Sequence, residues 1–304
     1  MNTAGSRAAT ARPQAADGRS WVSILSELTK ARITFFVTVS VIAGYALFAG
    51  TLDTGALLPM LGVFLLACGS AALNQVQESK LDAKMNRTMN RPIPSGVLRR
   101  DWALFIAMAL SGAGLYVLAS IPNHTLSVLG LGLLALVWYN GVYLGLKRVT
   151  AFAVVPGALV GAIPPVIGWC AAGGVWNDPR ILEVGFFFFL WQIPHFWLLL
   201  LLYGKEYEGA GLPSPTSFFT PGQLRRITFV WTLAVAATGL VLAVRLRFPL
   251  PWNLVALALA IWLALSGVAI LRWSDERKSV IASFLRINVY ALAMMILLAI
   301  QAIL

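Results

Sequence analysis

Long apolar runs alternate with short polar breaks along the whole chain. Nine windows hold about twenty largely apolar residues each, the length a helix needs to cross a hydrocarbon core of about 30 Å. They lie near 33–50, 55–77, 102–121, 125–145, 151–172, 181–203, 227–245, 250–271 and 284–303. In lipid every backbone polar group must be satisfied within its own segment, so each window predicts a helix. The expected fold is an all-α polytopic membrane protein with nine transmembrane helices. Two breaks, 78–101 and 204–226, are longer than the others and carry acids that no topological marker requires. Long loops of this kind are where chemistry concentrates.

Composition agrees with that pattern. The 304 residues are 59% hydrophobic and only 12% charged, against about 25% charged in soluble domains. Such a chain has no polar skin, and the lipid bilayer is its natural solvent. The net charge of +11 does not point to nucleic acid, because the cations cluster between apolar runs. With the N-terminus inside, twenty of the twenty-three Lys and Arg fall on the inner side, leaving Arg180, Arg245 and Arg247 outside. The positive-inside rule therefore sets a cytoplasmic N-terminus and an external C-terminus. Cys68 and Cys170 sit within apolar runs, without CxxC spacing, and read as small core residues. The opening MNTAGSRAATARPQAADGRS has no apolar h-region, so residues 1–24 are expected to form a disordered cytoplasmic tail before a membrane domain over 25–304.

The candidate chemistry begins at LNQVQESKLDAKMNRTMNRPIPSG, Leu73 to Gly96. Asn74, Glu78 and Asp82 fall four residues apart, so one amide and two carboxylates share a helix face. Such a row of oxygens suits Mg²⁺, which takes one or two carboxylates together with substrate phosphates and waters. Lys84, Arg87 and Arg91 follow directly, cations placed to hold diphosphate oxygens. A solvated, purely structural face would not choose the like-charged pair Lys80 and Lys84 at i, i+4.

The same stretch resembles the first signature of the UbiA-type intramembrane prenyltransferases, and within them the protoheme IX farnesyltransferase (haem O synthase) family. Asn74, Glu78, Asp82, Met85, Arg87, Thr88, Arg91, Pro92 and Pro94 all fit its spacing. FLWQIPHFWLLLLLYGKEYEGAGLP, Phe189 to Pro213, resembles a second family segment. By that resemblance Glu206 joins Asn74, Glu78 and Asp82 as metal ligand and catalytic group. Gln192 and His195, i and i+3 on one face, contact the acceptor, His195 through a haem propionate, the haem iron or the reacting vinyl region. The alternative for His195 is a core imidazole bonded to a carbonyl freed by Pro194. YNGVYLGLKRVTAFAVVPGALVGAIPPVIGW resembles the family's middle segment, which places Tyr143 at the acceptor and Lys147 and Arg148 at the diphosphate. For the two cations, topology marking alone is the competing account. The resemblance covers roughly residues 25–220 and leaves the last three helices as generic apolar spans.

The resemblance further implies nine helices around a central cavity, a Mg²⁺ cofactor, farnesyl diphosphate as donor and haem B as acceptor. It implies the bacterial inner membrane as location and terminal oxidase assembly factors as partners. Lys80 and Lys205 depart from the pattern, since both stand where the family usually carries acids. That keeps open a quinone-precursor prenyltransferase, a transporter, or a non-enzymatic haem-binding protein.

Overall fold

The computed structural model describes residues 18–122, 125–271 and 276–303, the side chain of Glu276 excepted. Within them, nine helices are long and apolar enough to cross a membrane. A short helix α1 (Trp21–Leu28) precedes α2 (Ala31–Ala49), α3 (Leu57–Asp82), α4 (Arg100–Ala119) and α5 (Thr125–Val137). Then come α6 (Leu159–Ala171), α7 (Pro179–Gly209), α8 (Pro221–Arg245), α9 (Leu250–Gly267) and α10 (Glu276–Ile303). Large side chains such as Phe105, Leu126 and Leu265 are exposed on the outside of the bundle, as lipid-facing surface should be.

Three expectations need correction. Residues 21–24 belong to α1 rather than to a disordered tail; the remainder of that tail up to residue 17, and Arg272 of the inner cation count, lie outside the described residues. The two acid-bearing breaks are also largely helical. α3 continues to Asp82 and α7 to Gly209, because their polar ends find protein partners and have no reason to unwind. Finally, α10 is no generic span, since Phe284, Asn288 and Met295 line the central cavity.

Lipid tails are as apolar as leucine, so helices in a bilayer associate through close packing of small residues. α2 crosses α6 where Gly44 meets the carbonyl of Pro165 and Gly168 meets that of Val41; a Cβ on either glycine would overlap those atoms. Away from these contacts the bundle opens into a cavity of about 1190 Å³. Its far end is closed by a packed core that includes Trp169, Phe187 and Tyr290. Cys68 and Cys170 are buried and unpaired, as expected of core residues.

Candidate active site

The ladder on α3 forms as its spacing predicts. Asn74, Glu78 and Asp82 are all buried and all line the cavity. Asn74 Nδ2 donates to Glu78 Oε2 at 3.2 Å, which fixes one rung against the next. Each carboxylate also faces a cation: Lys147 Nζ lies 3.0 Å from Glu78 Oε1, and Arg91 Nη1 lies 2.8 Å from Asp82 Oδ2. All four side chains are largely withdrawn from solvent, so these are desolvated ion pairs.

A fourth cation enters from an unforeseen direction. Lys30 Nζ approaches Asn74 Oδ1 at 3.4 Å. Its backbone joins α1 to α2 in the left-handed region (φ 51°, ψ 45°), a conformation that costs a non-glycine residue about 1 kcal/mol or more. Gln75, next to the ladder, holds this corner by donating from Nε2 to the carbonyls of Glu27 (2.8 Å) and Leu28 (3.0 Å). Burial, and then the neighbouring Arg91 guanidinium, pull the Lys30 ammonium down to about 8. The sequence signal was slight: a single Lys opening an apolar run.

The two distant signatures meet across the cavity mouth. Arg87 N–H donates to Glu206 Oε2 (3.2 Å), and Arg87 Nη2 donates to Tyr207 Oη (3.2 Å). The same guanidinium stands 5.0 Å from the Tyr203 ring centre, and Lys147 Nζ stands 5.2 Å from that of Tyr207. Glu206 itself is not among the cavity-lining residues; it closes the rim through Arg87. Glu208 accepts from Thr216 Oγ1 at 2.6 Å and behaves as a loop acid.

Not every expected cation arrives. Lys84 and Arg148 are exposed and do not line the cavity. Lys80 and Lys205, the departures from the family pattern, are likewise exposed and outside it, so neither adds positive charge to the ladder's face. Asn140 also leaves the face it was expected to share with Tyr143 and Lys147. A π-helical turn over Trp138–Tyr143 rotates it toward α3, where it accepts from Ser70 Oγ (2.6 Å) and donates to Gln77 Oε1 (3.2 Å). Insertions of this kind occur mostly at functional sites. This one leaves Tyr139 and Tyr143 stacked, ring centres 5.6 Å apart, on the cavity wall.

Deeper in, Gln192 and His195 both line the cavity. Gln192 Oε1 accepts from the Gly161 N–H (3.0 Å) in the turn before Pro164 and Pro165, so its carbonyl serves the backbone of α6. His195 Nδ1 pairs with Asn288 Oδ1 at 2.9 Å, not with a backbone carbonyl near Pro194. Its ring packs on Trp191, Phe196 and Phe284, with centres 5.1, 5.6 and 4.6 Å away. Asn288 was legible only as a lone amide in the last apolar run.

The model of the UbiA prenyltransferase family matches residues 35–295. A protoheme IX farnesyltransferase of Oleidesulfovibrio alaskensis is 36% identical over 277 residues, covering 91% of this chain and 95% of that one. One from Geobacter sulfurreducens is 39% identical over 244 residues, covering 78% and 84%. Among solved structures, a UbiA homolog from Archaeoglobus fulgidus bound to GPP and Mg²⁺ aligns with a TM-score of 0.64 at 14% identity, covering 90% of this chain and 99% of that one. A UbiA homolog from Aeropyrum pernix aligns at 0.70 and 16%, covering 87% and 97%. At such identities the structural likeness speaks for the fold alone.

Proposed function

Because the chain belongs to the UbiA prenyltransferase family, we propose that it transfers the farnesyl group of farnesyl diphosphate to a vinyl group of haem B, giving haem O. Relatives carrying the name protoheme IX farnesyltransferase, alignable over most of both chains, support this acceptor and donor. The observation that carries the reading is the meeting of a buried acid–cation cluster with the mouth of an aromatic-walled cavity. A charged head has a polar berth there, and an isoprenoid tail has an apolar chamber directly behind it.

Asn74, Glu78 and Asp82 fit Mg²⁺: all donors are hard oxygens on one face, and two carboxylates are what this ion takes when a phosphate ligand accompanies it. Those three residues would hold it, with Glu206 at the rim. Bound together with the diphosphate, Mg²⁺ neutralises charge on the leaving group. Lys30, Arg87, Arg91 and Lys147 supply the remaining positive charge, and the ion pairs they make with the ladder are ones a diphosphate can replace. Lys84 and Arg148 are left to topology.

Cleaving the allylic C–O bond leaves an electron-poor prenyl carbon. Tyr139, Tyr143, Trp191 and Phe196 turn π faces toward the cavity and keep water from that carbon until the vinyl group attacks it. Carbon–carbon bond formation moves the positive charge to the vinyl carbon next to the porphyrin. Water adds there and releases one proton, which gives the hydroxyethylfarnesyl arm. Gln192 and His195 sit on the same wall as acceptor-side residues.

The helices make this a multi-pass membrane protein. We place its basic end at the cytoplasmic face of the bacterial inner membrane, and we expect terminal oxidase assembly factors to receive the product. Residues 25–304 then form one prenyltransferase domain. The test is direct: purified protein in lipid nanodiscs with haem B, farnesyl diphosphate and Mg²⁺ should produce haem O, identified by its mass. Recovery of both substrates unchanged would overturn the proposal.

A further inference from the structure

The geometry around His195 selects among the contacts an imidazole can make with a haem. Asn288 Nδ2 donates to the Phe284 carbonyl at 2.5 Å, one helical turn earlier. Its amide orientation is thereby fixed, and Oδ1 is the atom left facing His195. A carbonyl oxygen only accepts, so Nδ1 must carry the ring proton. In the neutral ring Nε2 is then the nitrogen with the free lone pair. Nε2 has no hydrogen-bond partner among the described residues, is not sealed from the cavity, and belongs to a residue on the cavity wall.

A lone pair repels a carboxylate, which argues against a propionate partner. It also gives a vinyl group nothing to bind. A water held for deprotonation needs two or more polar neighbours. The rings around His195 belong to Trp191, Phe196 and Phe284, and Trp191 Nε1 already donates to the Ile287 carbonyl at 3.2 Å. What an oriented, partnerless imidazole nitrogen among flat apolar walls does accept is a metal centre. Histidines that ligate metals characteristically give their other N–H to a carboxylate or carbonyl oxygen, as His195 does to Asn288. We propose that His195 Nε2 is an axial ligand to the iron of the haem substrate, with Asn288 as the residue that positions it.

This rests on haem B being the acceptor and adds how it is seated. His195 lies eleven residues before Glu206 in α7, about 16 Å along a helix axis. Ligation there seats the macrocycle deep in the chamber and leaves the mouth to the diphosphate. Iron then serves as an anchor at a distance from the reacting vinyl group. A porphyrin without a metal loses that anchor.

The experiment uses full-length protein in nanodiscs and reads the iron rather than turnover. Haem B should show an imidazole-ligated Soret and paramagnetic resonance spectrum with wild type. His195→Ala should lose that spectrum and regain it on addition of free imidazole. Asn288→Leu should weaken haem binding by about 10–100-fold. Metal-free protoporphyrin IX should bind wild type and His195→Ala equally, and retained farnesyl diphosphate binding should show that each variant is folded. An unchanged iron spectrum in His195→Ala, with haem O still formed by wild type, would overturn the ligation alone. Failure of wild type both to bind haem and to form haem O would overturn the acceptor assignment with it.

Discussion

The two ends of the bundle each carry ion pairs, and the pairs differ in what surrounds them. At the ladder end, Lys147–Glu78 and Arg91–Asp82 are largely buried. At the other end, Arg245–Glu183 and Arg180–Asp178 are contacts of comparable length, 2.7 and 2.9 Å, but their arginines stand mostly in the open. An exposed pair forms easily and contributes little, because solvent and salt screen it. A buried pair must first strip both partners of water, a penalty its mutual attraction often fails to recover. Ionisable groups kept at such a cost inside a membrane bundle are there by default for function. The ladder's cations therefore read as partners awaiting exchange: phosphate oxygens take the cations while the carboxylates turn to metal.

The contrast can be broken by substitution, beginning with the acids. Glu78→Gln and Asp82→Asn should each lower kcat by about 10²–10³-fold, the usual loss when one charge-stabilising group is removed, as measured by haem O formation under saturating substrates. Full turnover in either variant would remove these carboxylates from the chemistry. Lys147→Met leaves Glu78 buried without its cation and takes one positive charge from the diphosphate berth. It should raise KM for farnesyl diphosphate by about tenfold or more, with a smaller effect on KM for haem.

Lys30 sharpens the same comparison through pH. Its ammonium is lowered to about 8, so in the free protein it is a cation below that pH and neutral above it. A diphosphate favours the cation and raises that pKa on binding. Affinity for farnesyl diphosphate should therefore be steady at lower pH and fall as pH rises past about 8. Lys30→Arg keeps its charge throughout and should flatten the rise in KM; an undiminished rise in that variant would assign the effect to another group. The smallest effect belongs to the other end. Arg245→Ala should leave kcat/KM within about twofold of wild type, since it removes an exposed pair only.

How far the sequence could carry these conclusions depended on the range of the forces involved. The spans were legible because twenty apolar residues in a row have one solvent to face. Their ends were not: α3 and α7 run on past the apolar windows because Glu78, Asp82 and Glu206 find cations brought by other segments. The ladder itself was readable from its four-residue spacing, a purely local property. Lys30 was missed because a corner pinned by Gln75 aims it at Asn74, forty-four residues away. Asn288 was missed for the same reason, since its role appears only where α10 meets α7. The π-helical turn at Trp138–Tyr143, which sends Asn140 away from Tyr143, left no periodic trace. Lys80 and Lys205 suggested a weakened metal site until their exposure showed that both point elsewhere.

One structure determination bears on all of this most directly: the full chain in nanodiscs with Mn²⁺ and a thiolo analogue of farnesyl diphosphate that resists ionisation. The predicted result is metal density bridging the diphosphate to Glu78 and Asp82, with Lys147 and Arg91 transferred to phosphate oxygens and the isoprenoid running back into the chamber. Density for metal and diphosphate elsewhere, with both carboxylates still paired to Lys147 and Arg91, would contradict the account.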